Sequence, residues 1–406
     1  MPRLLSLGLF LVIFAYEAVK PARASLLVTF KGTAGLTSAW LIGTVALLVI
    51  VALYNRLIAR WSRTRVLPLS LAAFALTLLV LRVLLQAPSP WMAIALYVWA
   101  DVFGVVMVEQ LWAIGNDYFD DASAKASYGL LSLLAIVGGM AGSAVAIVII
   151  PYVGTENLLY IGVAAIAGIL PLTIPIIRFQ RKSPRPEPRG AKLRQPLQSK
   201  DTPWSDLVEV LSSRYLTLVL VSVLFTQIVS NVIDYQFTGI SEQAFTTTDT
   251  RSVFLGESYF FINLLGAAVS LATPLLYNTL GVKGSFLTLP VLNLAGTLLY
   301  LLFPLNPVGI GLKLTDKGFN YSLDRTSKEL FYIRVPGRLK FKAKAIIDMF
   351  AYRFSKSVSS VLLLGFAAVR FAGAVTAGNC LILGLLLVVR VYLLRHYRET
   401  ASSPQA

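Results

Sequence analysis

Apolar residues gather along this chain in runs of about 20, the length a helix needs to cross a hydrocarbon core, and each run ends at a polar segment. Twelve such runs can be placed, at 4–28, 36–54, 66–86, 91–115, 129–150, 157–177, 214–238, 253–277, 284–303, 305–323, 345–369 and 371–394. The tenth is interrupted by Lys313, Asp316 and Lys317. The pattern predicts an all-α polytopic membrane protein with about twelve transmembrane helices.

Composition agrees. Of 406 residues, 56% are hydrophobic and 14% charged, against about 45–50% and 25% in soluble domains. The formal charge of +16 would suggest nucleic acid in a soluble protein. Here the Lys and Arg residues cluster in short loops, where they set membrane orientation instead. Arg56, Arg60, Arg63 and Arg65 fill one loop, eight basic residues lie in 178–200, and seven lie in 325–344, while the loops near 87–90, 151–156 and 304 have none. This parity places both termini and the long central loop in the cytoplasm.

The central segment 179–207, with Pro184, Pro186, Pro188, Pro196 and Pro203 among its charges, reads as an extended linker. It separates a six-helix bundle at 1–178 from a second at 208–396, leaving a cytoplasmic tail at 397–406. Two six-helix bundles with a cytoplasmic linker is the plan of the major facilitator transporters, in which substrate binds near mid-membrane between rocking halves. Hydropathy alone carries that comparison, for the halves show no residue-level repeat. Arg3, the first apolar run and Ala22-Arg23-Ala24 imitate a secretory signal, but cleavage would leave eleven spans and unexplained charge parity, so the segment is expected to stay.

One cysteine, Cys380, and one histidine, His396, exclude a disulfide framework and a zinc site built on paired Cys or His. No metal or cofactor is expected. Cys380 reads as helix packing and His396 as a solvated residue of the basic tail.

Charges inside the spans carry the chemistry. Each costs about 2.5–3.5 kcal/mol on insertion scales, so a chain that keeps several is expected to use them on a polar solute path. Lys20 and Arg23 lie three apart on one helix face, and Pro21 between them should kink or break the helix. Together they offer phosphate or carboxylate a cationic pocket; the alternative is that both snorkel to the external interface near Lys31. Asp101 and Asp234 stand in apolar sequence and need a cation or a proton. Either could pair with Lys20 or Arg23, carry a coupling proton, or form a static inter-helix ion pair. Arg82 and Arg390, near span ends, are expected to snorkel.

Residues 314–357 hold the most specific signal. Leu314-Thr315-Asp316-Lys317-Gly318-Phe319-Asn320-Tyr321-Ser322-Leu323-Asp324 runs into Lys328-Glu329-Leu330-Phe331-Tyr332-Ile333, then Lys340, Lys342, Lys344, Asp348, Arg353 and Lys356-Ser357. This segment resembles, in order and spacing, the tail of the ATP/ADP translocases of plastids and intracellular bacteria. Lys20 to Thr29 is similar to that family's first-span basic motif with Lys and Arg in reversed order. Ala100-Asp101 with Gly104, Ala124-Lys125 with Tyr128, Asn231-Val232-Ile233-Asp234 and Phe254-Leu255-Gly256-Glu257 resemble further motifs. The chain departs from the family where Asp101 and Asp234 replace glutamates, Thr238 and Asn320 replace lysines, and Val358 and Ser359 replace glycines.

The resemblance implies a bacterial inner-membrane carrier that exchanges nucleotides, with Lys20, Arg23, Asp101, Asp234 and Lys317 binding substrate. Lys328, Glu329, Lys340 and Lys356 would form a gating or cytoplasmic basic motif. The partners would be an anionic nucleotide or phosphorylated metabolite and the lipid bilayer, with no nucleic acid. No Gly-x-x-x-x-Gly-Lys loop and no nucleophile–base pair stands out, so nucleotide is expected as cargo and no enzyme activity is expected. Two other readings stay open: a proton-coupled carrier of another organic anion using Asp101 or Asp234, and a non-transporting scaffold or sensor.

Overall fold

A chain in hydrocarbon has no water to satisfy its peptide groups, so each span must close its own backbone hydrogen bonds. Helix is accordingly the only regular structure among the described residues of the computed structural model, which are 2–87, 89–118, 121–182, 203–332, 351–368 and 373–402 with scattered positions from 335 to 347. The helices are α1 (Pro2–Lys31), α2 (Gly35–Arg60), α3 (Arg63–Leu84), α4 (Pro90–Tyr118), α5 (Asp121–Val153), α6 (Leu158–Lys182), α7 (Pro203–Ser212), α8 (Arg214–Ala244) and α9 (Thr248–Leu302). After these come α10 (Asn306–Phe319), a π-helical turn (Asn320–Asp324), α11 (Arg325–Phe331), α12 (Tyr352–Ala368) and α13 (Ala374–Ser402).

Nine helices among the described residues are long and apolar enough to cross a membrane. One of them, α9, holds both the 253–277 and 284–303 runs, joined at Gly281 where φ is 67° and ψ 175°. The two other expected spans fall in α10 with the π-turn and in α12, with 345, 348–350 and 369 outside the described residues. The 14 residues of α10 end at the π-turn, and the apolar stretch of α12 covers only 354–366. Most of the expected linker, 183–202, lies outside the described residues, but its two ends are helical: α6 continues to Lys182 and α7 begins at Pro203. The tail expected from 397 is likewise helical through Ser402.

The residues group into two units, Met1–Pro186 with Ser241–Asn263, and Glu187–Ile240 with Leu264–Ala406. In the first, α1 is the central element. It packs on α2, α4, α5 and α6; Leu5, Leu9, Val12, Ala15, Val19, Ala22 and Leu26 form a buried stripe along one face, and Ser6, Ala24, Ser25 and Val28 are buried on others. Water-driven burial supplies little between helices in lipid, so close backbone approach has to supply the attraction. Gly138 and Gly142, one turn apart on α5, face Phe10 and Phe14, one turn apart on α1, and a Cβ at either glycine would collide with the facing carbonyl oxygen. Gly104 on α4 similarly makes room for the Tyr16 ring.

The break that the sequence allowed at Pro21 does not occur, for α1 runs as one helix from Pro2 to Lys31. Packing on several sides holds the segment helical although the proline removes the donor that would serve the Glu17 carbonyl.

Two turns of the first unit share one device. Gly32 (φ 63°) and Gly154 (φ 80°) each take the left-handed conformation that glycine tolerates, and each precedes a threonine. The backbone N–H of Thr33 donates to Glu242 at 2.8 Å, and that of Thr155 donates to Asp249 at 2.8 Å. The 241–249 segment is thereby pinned to the turns that follow α1 and α5.

The second unit has its own core, in which Val210, Leu216, Phe286, Phe331, Tyr332, Ile347 and Leu393 are buried together. Substitution Gly142→Val should force α5 off α1 and destabilise the first unit by about 1–3 kcal/mol, the usual penalty of overpacking. A lower melting temperature in detergent than wild type, with Gly168→Val as a control position that has open space around its Cβ, is the expected result.

Candidate functional site

Helical spacing sets Tyr16, Glu17, Lys20 and Arg23 on adjoining turns of α1, and the structure gathers partners around them. The Lys20 ammonium donates to both Glu17 oxygens, at 2.8 and 3.1 Å. It also sits 4.1 Å from the centre of the Tyr259 ring and 5.5 Å from that of Tyr16, within cation–π range. Arg23 is buried; its Nη1 donates to Asp101 Oδ1 at 2.5 Å and to the Tyr97 carbonyl at 3.3 Å, and its Nη2 donates to the Tyr16 hydroxyl at 3.2 Å. The guanidinium lies 4.5 Å from the Tyr97 ring, whose hydroxyl accepts from Trp40 Nε1 at 3.1 Å. Tyr97 and Asp101 are one turn apart on α4, so a single helix face supplies both the ring and the carboxylate.

Two cations thus meet two carboxylates, and their formal charges cancel. The Arg23 pair is braced by a backbone carbonyl and a phenol, whereas Lys20 reaches Glu17 along a flexible stem within its own helix. The Arg23 Nε, also buried, finds no acceptor among the described residues. The site therefore keeps a spare donor beside a movable ammonium, an arrangement able to accept an anion that displaces a carboxylate.

The second unit carries a cluster of equal charge count. Lys313, Asp316 and Lys317 share one face of α10, and Ser230 and Asp234 lie one turn apart on α8. Asp234 pairs with Lys313 through Oδ1 and with Lys317 through Oδ2, the latter at 3.0 Å. Lys317 donates to Ser230 at 2.6 Å; the Ser230 hydroxyl donates to Asp316 Oδ2 at 2.5 Å, and Asn293 donates to Oδ1 at 2.9 Å. Asp316 is fully buried, while the Asp234 side chain keeps 28% of its surface exposed. Asp316 is thus a structural anchor held by donors, and Asp234 is the accessible carboxylate of this cluster.

The predicted residues therefore fall into two groups within the chain. Lys20, Arg23 and Asp101 lie together in the first unit, and Asp234 and Lys317 in the second, where Asp234 finds its cations on α10. Glu17, Tyr16, Tyr97 and Tyr259 were missed by sequence reasoning. The Glu17–Lys20 spacing of three residues carried the same signal that singled out Lys20 and Arg23. Of the basic motif, Lys328 and Lys356 are half-buried, Glu329 pairs with Lys344 at 2.7 Å on the surface, and Lys340 lies outside the described residues.

Arg390 corrects the sequence reading. Expected to snorkel, it is 1% exposed: Nη1 donates to Asp324 at 2.6 Å and to the Phe286 carbonyl at 2.5 Å, Nη2 donates to Thr226 at 2.7 Å, and the guanidinium lies 4.2 Å from the Phe286 ring. Asp324, the last residue of the π-turn, draws it inward, because a paired guanidinium need not reach for headgroups. Arg82 also has protein partners, donating to Asn157 Oδ1 at 2.6 Å and lying 3.8 Å from Glu156.

The family model described as Major Facilitator Superfamily matches residues 5–308 of the chain. The chain belongs to the major facilitator superfamily. It is a multi-pass integral membrane transporter of that fold, and solved structures agree. The nucleoside transporter NupG is similar with a TM-score of 0.67 at 14% identity, over 97% of this chain and 99% of that one. A bacterial homologue of the iron transporter ferroportin, in an inward-facing state, is similar with a TM-score of 0.67 at 14% identity, over 97% and 98%. A D-xylose–proton symporter gives 0.67 at 13%, over 97% and 96%. No curated protein sequence matches the chain.

Removing one partner of a buried pair strands the other charge, at about 3–5 kcal/mol. Arg390→Met alone should therefore strongly lower the melting temperature of the major facilitator protein in detergent, and adding Asp324→Leu should recover most of the loss.

Proposed function

We propose that this transporter carries a nucleotide of the ATP/ADP type, or a related phosphorylated anion, by alternating-access exchange. Its orientation would place both termini in the cytoplasm of a bacterial cell, as the loop charges favour. The similar structures are named for a nucleoside, for iron and for a sugar, so the fold leaves the cargo open and the chain's own side chains must decide it.

The observation that carries the reading is the pairing of Lys20 and Arg23 one turn apart inside the first unit. Both are largely withdrawn from solvent, both lie against tyrosine rings, and a guanidinium donor is left over. Retaining two adjacent cations in a span costs insertion energy that a single structural ion pair would not require. A phosphate group offers more oxygens than either resident carboxylate and matches the planar fork of Arg23. Lys313 and Lys317 form a second such pair of cations within the second unit. The similarity of the 314–357 segment to the ATP/ADP translocases points to the same class of cargo. The losses at Thr238 and Asn320 favour fewer phosphates.

A scaffold that no longer transports would keep the same ion pairs, and flux separates the two. In liposomes loaded with unlabelled ATP, ADP, inorganic phosphate or a sugar phosphate, at least one internal anion should accelerate uptake of its labelled form. Loss of one charge-assisted hydrogen bond, about 1.5–3 kcal/mol, predicts that Lys20→Gln and Arg23→Gln each weaken apparent affinity about 10- to 100-fold. Binding without flux would favour the scaffold, and wild-type transport by both variants would remove these residues from the site.

A further inference from the structure

The first part of α9, which belongs to the first unit, turns one face toward the cluster on α1 and toward α5. Tyr259 and Asn263 lie one turn apart on that face, and Gly256 continues the row against Ile147. Tyr259 is half-buried, with its ring centre 4.1 Å from the Lys20 ammonium. Asn263 meets Gly139 of α5. A Cβ at that glycine would stand 3.2 Å from the amide nitrogen and 3.3 Å from both the amide carbon and oxygen, so the amide lies flat over the glycine. Its face is used in packing, and its edge is left over.

The surrounding helices do not account for either side chain. Asn263 is half-buried, yet among the described residues neither its donor nor its acceptor makes a hydrogen bond, although most polar side chains withdrawn from water find a partner. The Tyr259 hydroxyl makes none either, so the ring is the part of this residue in use. A flat aromatic face and an unused amide edge thus stand beside two cations that already read as an anion site.

Resting on the anion-carrier reading above, we infer that Tyr259 and Asn263 recognise the base of a nucleotide cargo, the ring by stacking and the amide by reading the base edge. When a phosphate draws Lys20 away from Glu17, the ammonium also leaves the Tyr259 ring, and a flat heterocycle takes its place on the π face. Asn263 follows about 5.4 Å further along α9, the rise of one turn. It offers an N–H donor beside a carbonyl acceptor. That pair complements a ring edge carrying an acceptor beside a donor, as adenine does with its ring nitrogen and amino group. Gly139 is part of the device, for only a residue without a side chain lets the amide lie this close to α5.

Calorimetric titration of the purified full-length protein in detergent with ADP, inosine diphosphate and pyrophosphate tests this, because pyrophosphate carries the charge without a base. Wild type should bind ADP about 5- to 100-fold more tightly than pyrophosphate, and Tyr259→Leu should lose most of that advantage while Tyr259→Phe keeps it. Wild type should also prefer ADP to inosine diphosphate, in which a carbonyl replaces the amino group, by about fivefold or more. Asn263→Ala should remove that preference and leave pyrophosphate affinity within about twofold, a sign that the variant is folded. Equal affinity of wild type for ADP and pyrophosphate, equal weakening of both by Tyr259→Leu, or a preference over inosine diphosphate that is absent from wild type or kept by Asn263→Ala overturns the base site and leaves the anion reading standing. Failure of all three anions to bind wild type overturns both.

Discussion

A charge within hydrocarbon has to be neutralised by its neighbours, and in this protein that requirement organises more than the local contacts. Each unit sets two lysine or arginine side chains against two carboxylates in one cluster, and the second unit adds the Arg390–Asp324 pair. These groups dictate which helix faces meet. The α4 face bearing Tyr97 and Asp101 turns toward Arg23, and the α8 face bearing Ser230 and Asp234 turns toward α10. Glycine contacts allow the geometry: with Gly138 and Gly142 letting α5 close on α1, and Gly104 accommodating Tyr16, the cluster sits in a bundle with little slack.

On the anion reading proposed above, internal balance would also set the terms of transport. A cargo anion cannot simply fill an empty positive pocket, because no cation in the two clusters stands without a carboxylate. It must replace a resident carboxylate, and the gain is the difference between two interactions of similar kind. Such a site would bind its anion weakly enough to release it. The division of labour between lysine and arginine follows from their chemistry: Arg23, planar and braced, holds the geometry, while Lys20, on a flexible stem between two tyrosine rings, is the group that can change partner.

Much of this was legible in the sequence, and the omissions have physical causes. Hydropathy located the spans because each apolar run is long. The run at 305–323 falls in α10 and the π-turn, and that at 345–369 in α12 together with residues outside the described ones. Lys20, Arg23, Asp101, Asp234 and Lys317 stood out as charges in apolar surroundings, but one sequence cannot say which charge meets which. Asp234 therefore found its partners on α10, and Arg390, apparently near a span end, was drawn inward by Asp324, 66 residues away in the chain. Glu17 escaped notice because an acidic residue beside a lysine looks self-satisfied. That mutual satisfaction is what makes it sensitive to the loss of its partner.

The most direct test is an experimental structure of the protein with ADP bound. The account predicts phosphate oxygens within about 2.7–3.2 Å of Lys20 Nζ and of the Arg23 guanidinium, with Glu17 no longer accepting from Lys20. Phosphates held elsewhere, with the Lys20–Glu17 and Arg23–Asp101 pairs undisturbed, would contradict it.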